Sequence, residues 1–109
     1  MLGYAYLEDS DDTRNSPSEA LVSRLRELGA EVVIHDPWVR EYQGDVLACI
    51  KDCDAAVVMV AHSLYRKIDP AALKSALRTP VLVDGRNVFD ASTARAAGLI
   101  YLGIGKGER

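Results

Sequence analysis

Between Glu8 and Arg14 the chain gathers Glu8, Asp9, Asp11, Asp12 and Arg14, and it runs straight into Ser16-Pro17-Ser18-Glu19. Backbone amides at the start of a helix, with a guanidinium beside them, can hold a phosphate or another anion. The same carboxylates suit metal ligation, and they equally suit a solvated loop with no ligand. Residue types alone leave those three readings open. A second concentration is Asp84-Gly85-Arg86-Asn87, where a glycine permits a sharp turn and Arg86 offers a planar five-donor fork. A purely structural turn fits those residues as well. His62 follows an apolar run and has the chemistry of a base or ligand, or of a hydrogen-bonded structural residue. Cys49 and Cys53 stand four apart, on one helical face, and read as small buried apolar groups. Trp38 and Tyr42 either pack over a sheet edge or meet a partner.

These residues need elements to position them. Leu2 to Tyr6 reads as a strand, followed by a polar loop. Ser16 is placed to cap the Glu19 amide, Pro17 to open the helix, and Glu19 to reach back. That helix carries Leu21, Leu25 and Leu28 on one face and ends at Gly29. Glu31 to His35 forms a second strand, and residues 38–44 a loop. Asp45 to about Asp52 fits a short helix with Val46, Ile50 and Cys53 on its buried side. Ala55 to Val60 is continuously apolar, the pattern of a central parallel strand covered on both faces. After a loop through Asp69, Pro70 opens a helix ending near Arg78. Val81 to Val83 is a fourth strand, residues 90–97 a helix closed by Gly98, and Leu99 to Ile104 a fifth strand. Strands alternating with helices predict an α/β fold, a Rossmann-like three-layer sandwich around a mainly parallel, doubly wound sheet. Ligands of such sheets bind beyond the carboxyl ends of the strands, where residues 7–16, 36–44, 61–69 and 84–90 meet.

Composition narrows the function classes. The 109 residues suit one domain, with 49% hydrophobic and 27% charged residues. A net charge of −3 without a Lys/Arg run argues against nucleic acid as a partner. No apolar stretch approaches a membrane span, and no signal peptide opens the chain. Two cysteines fit a reducing compartment, so a cytoplasmic location is expected. The first strand starts at Met1, which implies a short strand or a piece of a longer chain. No Gly-x-Gly-x-x-Gly or Walker loop follows any strand, so no dinucleotide fingerprint is present.

Read in order, the segments resemble the UDP-binding C-terminal domain of the UDP-glucose/GDP-mannose dehydrogenase family. The family pattern is Gly-x-Ala-Tyr/Phe-Lys, a short acidic stretch, then Asp-Asp-x-Arg-Glu-Ser-Pro opening a helix. Here stand Gly3-Tyr4-Ala5-Tyr6-Leu7, then Glu8-Asp9-Ser10, then Asp11-Asp12-Thr13-Arg14-Asn15-Ser16-Pro17. His35-Asp36-Pro37, Asp54-Ala55, Ala61-His62-Ser63-Leu64-Tyr65 and Asp84-Gly85-Arg86-Asn87 also match, so the likeness covers essentially residues 1–109. It implies a fragment of an enzyme that oxidises the C6 alcohol of a UDP-sugar or GDP-mannose to a carboxylate with NAD as cofactor. NAD would be bound mainly by an N-terminal domain, and a central region would dimerise the enzyme into a homo-oligomer. Substrate-binding roles fall on Tyr6, Leu7 and Arg86, and a cofactor-side role on Arg14. The family's Lys is Leu7 here, and its Glu is Asn15. A leucine cannot donate to a phosphate or sugar hydroxyl, a loss of roughly 1.5–3 kcal/mol for a charged hydrogen bond. The resemblance implies no catalytic group and no metal within this chain.

Two other classes remain for comparison. A non-catalytic ligand-binding or interaction module derived from the same family would keep the fold without the reaction. A response-regulator receiver would need an acceptor Asp at the end of the third strand, where this chain has Ala61-His62.

Overall fold

A computed structural model describes residues 1–5, 9 and 16–104 of the chain. Tyr6, Leu7 and Arg14 lie outside the described residues, as do Glu8, Asp11 and Asp12. The described elements are α1 (Pro17–Glu27), a 3₁₀ turn (Arg40–Tyr42), α2 (Val46–Ile50), β1 (Ala55–Val58), α3 (Ser63–Arg66), α4 (Pro70–Ala76), β2 (Val81–Asp84), α5 (Ala91–Ala96) and β3 (Ile100–Gly103).

The strands are parallel in the order β1-β2-β3, with Val57 opposite Val83 and Val83 opposite Leu102. The sheet continues past β1 through single bridges. Leu2 pairs in parallel with Val58 on one side and His35 on the other. The order across the molecule is therefore the His35 segment, the Leu2 segment, β1, β2, β3. Chain direction across the sheet reverses between the Leu2 segment and β1, which makes that gap the switch point of a doubly wound sheet. The expected α/β architecture is present. The first two strands are shorter than the sequence suggests, reduced to the neighbourhoods of Leu2 and His35. Both lie toward one edge, and Val33 is half exposed, so little packing extends their ladders.

Helix ends follow local chemistry. Asp45 accepts from the Ala48 amide, Asp69 from Ala71 and Asp90 from Thr93, each cap contributing about 1 kcal/mol. Ser16 caps α1, but its hydroxyl accepts from the Ser18 amide, while the Glu19 amide bonds the Ser16 carbonyl. The reciprocal box expected with Glu19 does not form. The expected stripe of α1 is covered only in part, with Leu21 and Leu25 half-buried. Ser18 and Val22 are buried, whereas Leu28 is 66% exposed beyond the helix end.

Helices α2, α4 and α5 pack side by side over one sheet face. The core there contains Leu2, Val46, Ile50, Ala56, Val58, Tyr65, Leu73, Leu82 and Tyr101, with Cys53 only partly buried against it. The crossover through α1 runs the opposite way, and right-handed connections put it on the other face. That face is incompletely covered. Ala55 is exposed and Val57 half-buried, so β1 is not closed on both sides as its run of apolar residues suggests.

Candidate functional site

Two buried carboxylates shape the carboxyl edge of the sheet. Asp36 ends the His35 segment and is fully buried. Its Oδ2 accepts from the Tyr4 amide at 2.7 Å, the Ala5 amide at 2.9 Å and His62 Nε2 at 2.9 Å, while Oδ1 accepts from the Trp38 amide at 2.8 Å. Burial alone would raise its pKa, but the hydrogen bonds from His62, Tyr4, Ala5 and Trp38 outweigh that and hold it at about 2. The charge is thus matched by donors, as a buried carboxylate requires.

His62, also fully buried, has both ring nitrogens engaged. Nδ1 lies 2.7 Å from the Asp9 amide, which can only donate, so the neutral ring carries its proton on Nε2 and gives it to Asp36. Asp9 has φ 52°, a left-handed conformation that Asp tolerates. Its carboxylate accepts from the Ser63 amide at 3.0 Å, the Ser63 hydroxyl at 2.7 Å and Trp38 Nε1 at 3.3 Å. Ser63's two donors hold that carboxyl below the ordinary range. Three of the expected loops therefore meet at Asp9. Of the alternatives open for His62, base and ligand fall away, because no ring nitrogen is free. Trp38 remains 48% exposed and Tyr42 meets Tyr4 edge-on at 5.2 Å, which places both aromatics over this edge.

The second carboxylate, Asp84, ends β2. It is fully buried and accepts from the Arg86 and Val88 amides at 3.2 and 3.1 Å, and from the Phe89 amide and Tyr101 hydroxyl at 2.8 Å each. Burial would raise its pKa, but these four bonds, led by Phe89, bring it below the ordinary value. Asp84 therefore folds the loop that presents Arg86. Gly85 makes the turn possible by close approach, since a Cβ there would meet the Val58 carbonyl oxygen at 2.9 Å. The turn reading and the site reading of Asp84-Gly85-Arg86-Asn87 both hold, on different residues.

Arg86 is exposed, and its Nε donates to the Met59 carbonyl at 2.9 Å. That bond fixes the guanidinium beside the end of β1, while its terminal nitrogens donate to none of the described residues. Such a fork suits bidentate binding of a phosphate or carboxylate. Of the four candidate residues, Arg86 alone lies among the described ones. Sequence reasoning did not find the Asp36–His62–Asp9 chain, although His35-Asp36-Pro37 and Ala61-His62-Ser63 were both singled out as segments. A second buried histidine, His35, is bonded to the Tyr65 hydroxyl at 2.9 Å and the Gly44 carbonyl at 2.8 Å, which ties the same edge to α3.

Comparison with known proteins agrees with this geometry. Residues 1–91 match the UDP-glucose/GDP-mannose dehydrogenase family, UDP binding domain. The chain is 32% identical to the UDP-glucose 6-dehydrogenase TuaD of Bacillus subtilis over 97% of its own length and 25% of that protein. It is 32% identical to the UDP-N-acetyl-D-mannosamine dehydrogenase of Pyrococcus horikoshii over 99% of its length and 25% of that protein. Among solved structures, a UDP-D-ManNAc dehydrogenase from Pyrococcus horikoshii superposes with TM-score 0.88 at 31% identity, covering 99% of this chain and 25% of that one. An NDP-N-acetyl-D-galactosaminuronic acid dehydrogenase from Methanosarcina mazei Go1 gives TM-score 0.85 at 40% identity, covering 95% and 23%. The chain thus spans about a quarter of the length of the relatives it matches.

Proposed function

The chain belongs to the UDP-glucose/GDP-mannose dehydrogenase family, as its UDP binding domain, and on that premise we propose that it holds the nucleotide sugar of an NAD-dependent 6-dehydrogenase. The observation that carries this reading is Arg86, a guanidinium anchored through Nε beside the carboxyl end of β1, with its terminal nitrogens turned to no described partner. Arg86 takes a phosphate or sugar oxygen of a UDP-sugar or GDP-mannose. Tyr6 and Leu7 line the same substrate, and Arg14 faces the cofactor side of the cleft.

NAD is bound mainly by an N-terminal domain in this reading. A dinucleotide needs glycines that leave room for its pyrophosphate after a strand. No Gly-x-Gly-x-x-Gly follows any strand of this sequence. In this reading NAD binding, hydride transfer and the C6 oxidation fall mainly to an N-terminal domain of the enzyme, and homo-oligomerisation to a central dimerisation region. Two free cysteines accord with a cytoplasmic place of work. No helix among the described residues is long and apolar enough to cross a membrane.

A second reading, a non-catalytic binding module, is favoured by one feature, Leu7 at the position of the family's Lys. An amide-resolved NMR titration separates binding from its absence. UDP added to the chain should shift the amides of Gly85 to Val88 and of Met59 to Ser63, leaving α4 and α5 unmoved. Shifts scattered over the surface, or none at millimolar UDP, would sink the binding reading.

A further inference from the structure

We propose that His62 is a positioning residue for the nucleotide, acting through the Asp9 amide to hold Asp9 in place at the carboxyl edge of the sheet. The inference rests on the reading that this edge binds the nucleotide. Its basis is the direction of each hydrogen bond. Asp36 is fully buried and held by three backbone amides besides His62, so its place is set by the sheet rather than by any ligand. Its Oδ2 dictates that His62 carries the proton on Nε2. The opposite nitrogen is then an acceptor, and the donor it takes is the amide of Asp9 at 2.7 Å, 53 residues away in sequence.

That bond crosses the switch point, joining the end of β1 to the loop that leaves the Leu2 segment. Asp9 is reached from the same side by both donors of Ser63 and from the other by Trp38 Nε1. Its left-handed backbone at φ 52° is a conformation that a free chain adopts sparingly, so these bonds select it. The side chain of His62 has no accessible surface and no spare nitrogen, which leaves it no direct part in binding or chemistry. Its effect must pass through Asp9.

Two isosteres of half the imidazole divide the roles. His62→Gln keeps a donor where Nε2 stood, bonding Asp36, and loses the acceptor for Asp9. His62→Asn keeps an acceptor where Nδ1 stood and loses the donor to Asp36. Amide hydrogen exchange at Asp9 and calorimetric titration with UDP are measured on both, with thermal melting as the control for folding. The expected pattern is an Asp9 amide exchanging about tenfold faster or more, and UDP bound about tenfold more weakly, in the Gln variant while its melting temperature stays near that of the unaltered chain. The Asn variant should melt earlier yet keep both Asp9 protection and UDP affinity when folded. The inference is overturned if the Gln variant keeps Asp9 protection or UDP affinity, or if both variants lose affinity only in step with stability. Failure of the unaltered chain to bind UDP would count against the nucleotide reading, while Asp9 exchange in the two variants would still uphold or overturn the latch.

Discussion

The Tyr101 hydroxyl donates to Asp84 Oδ2 at 2.8 Å, so the middle of β3 is bonded to the residue that folds the Arg86 loop. The bond is buried and its acceptor is charged, conditions under which a hydrogen bond contributes about 1.5 kcal/mol or more. Tyr101→Phe should therefore lower the melting temperature by roughly 6 °C or more for a domain of this size. Thermal unfolding followed by circular dichroism checks this, and a change under about 1 °C would show that three backbone amides suffice for Asp84.

Acid should destabilise the domain within a defined window. Asp36 is held at about 2, below its ordinary 3.8. A carboxyl lowered on folding contributes stability above its unfolded pKa and loses it as pH falls through the folded one. Stability should therefore be level above about pH 5 and fall between about pH 4 and pH 2, by roughly 2–3 kcal/mol from Asp36. Asp84, shifted in the same direction, adds a loss of the same sign. Asp36→Asn should flatten this dependence and cost stability at neutral pH. Urea unfolding at several pH values measures both, and equal stability at pH 5 and pH 3 would contradict the assignment.

Gly85→Ala should destabilise by about 1–3 kcal/mol, because the added methyl meets a backbone oxygen rather than a movable side chain. The clash partner, the Val58 carbonyl, also accepts the Gly85 amide at 2.9 Å, so neither side can yield cheaply. A denaturation midpoint equal to that of the unaltered chain would count against this close approach.

Much of this was legible in the sequence where one residue decides the outcome. Pro17 and Pro70 open helices, and the Ala55, Val81 and Ile100 runs are strands. Lengths failed where the neighbour decides. The Leu2 and His35 segments have the pattern of strands, yet with α1 burying only Ser18 and Val22 each extends to a single bridge position. Leu28 differs from expectation too, since as the C-cap of α1 it lies exposed. The Asp36–His62 pair was hidden because it depends on register. Only after Leu2 pairs with both His35 and Val58 do residues 36 and 62 share one side of the switch point. The signal available was two chemistry-bearing residues just past two apolar runs, and nothing in their spacing says that they face each other.

Leu7→Lys restores a donor that the family pattern places at this position. Calorimetry with UDP-glucose should show binding tightened about tenfold or more, the worth of one charged hydrogen bond. Unchanged affinity would mean that residue 7 does not meet the nucleotide sugar.

In the proposed reading the carboxyl edge binds the nucleotide through Arg86. Calorimetric titration of UDP into the chain and into Arg86→Ala is the decisive measurement. Arg86 is exposed, so its truncation should leave the melting temperature within about 2 °C. Saturable binding by the unaltered chain, weakened about tenfold to a hundredfold in the variant, is the predicted result. No saturable heat at millimolar UDP, or equal affinity in both proteins, would contradict it.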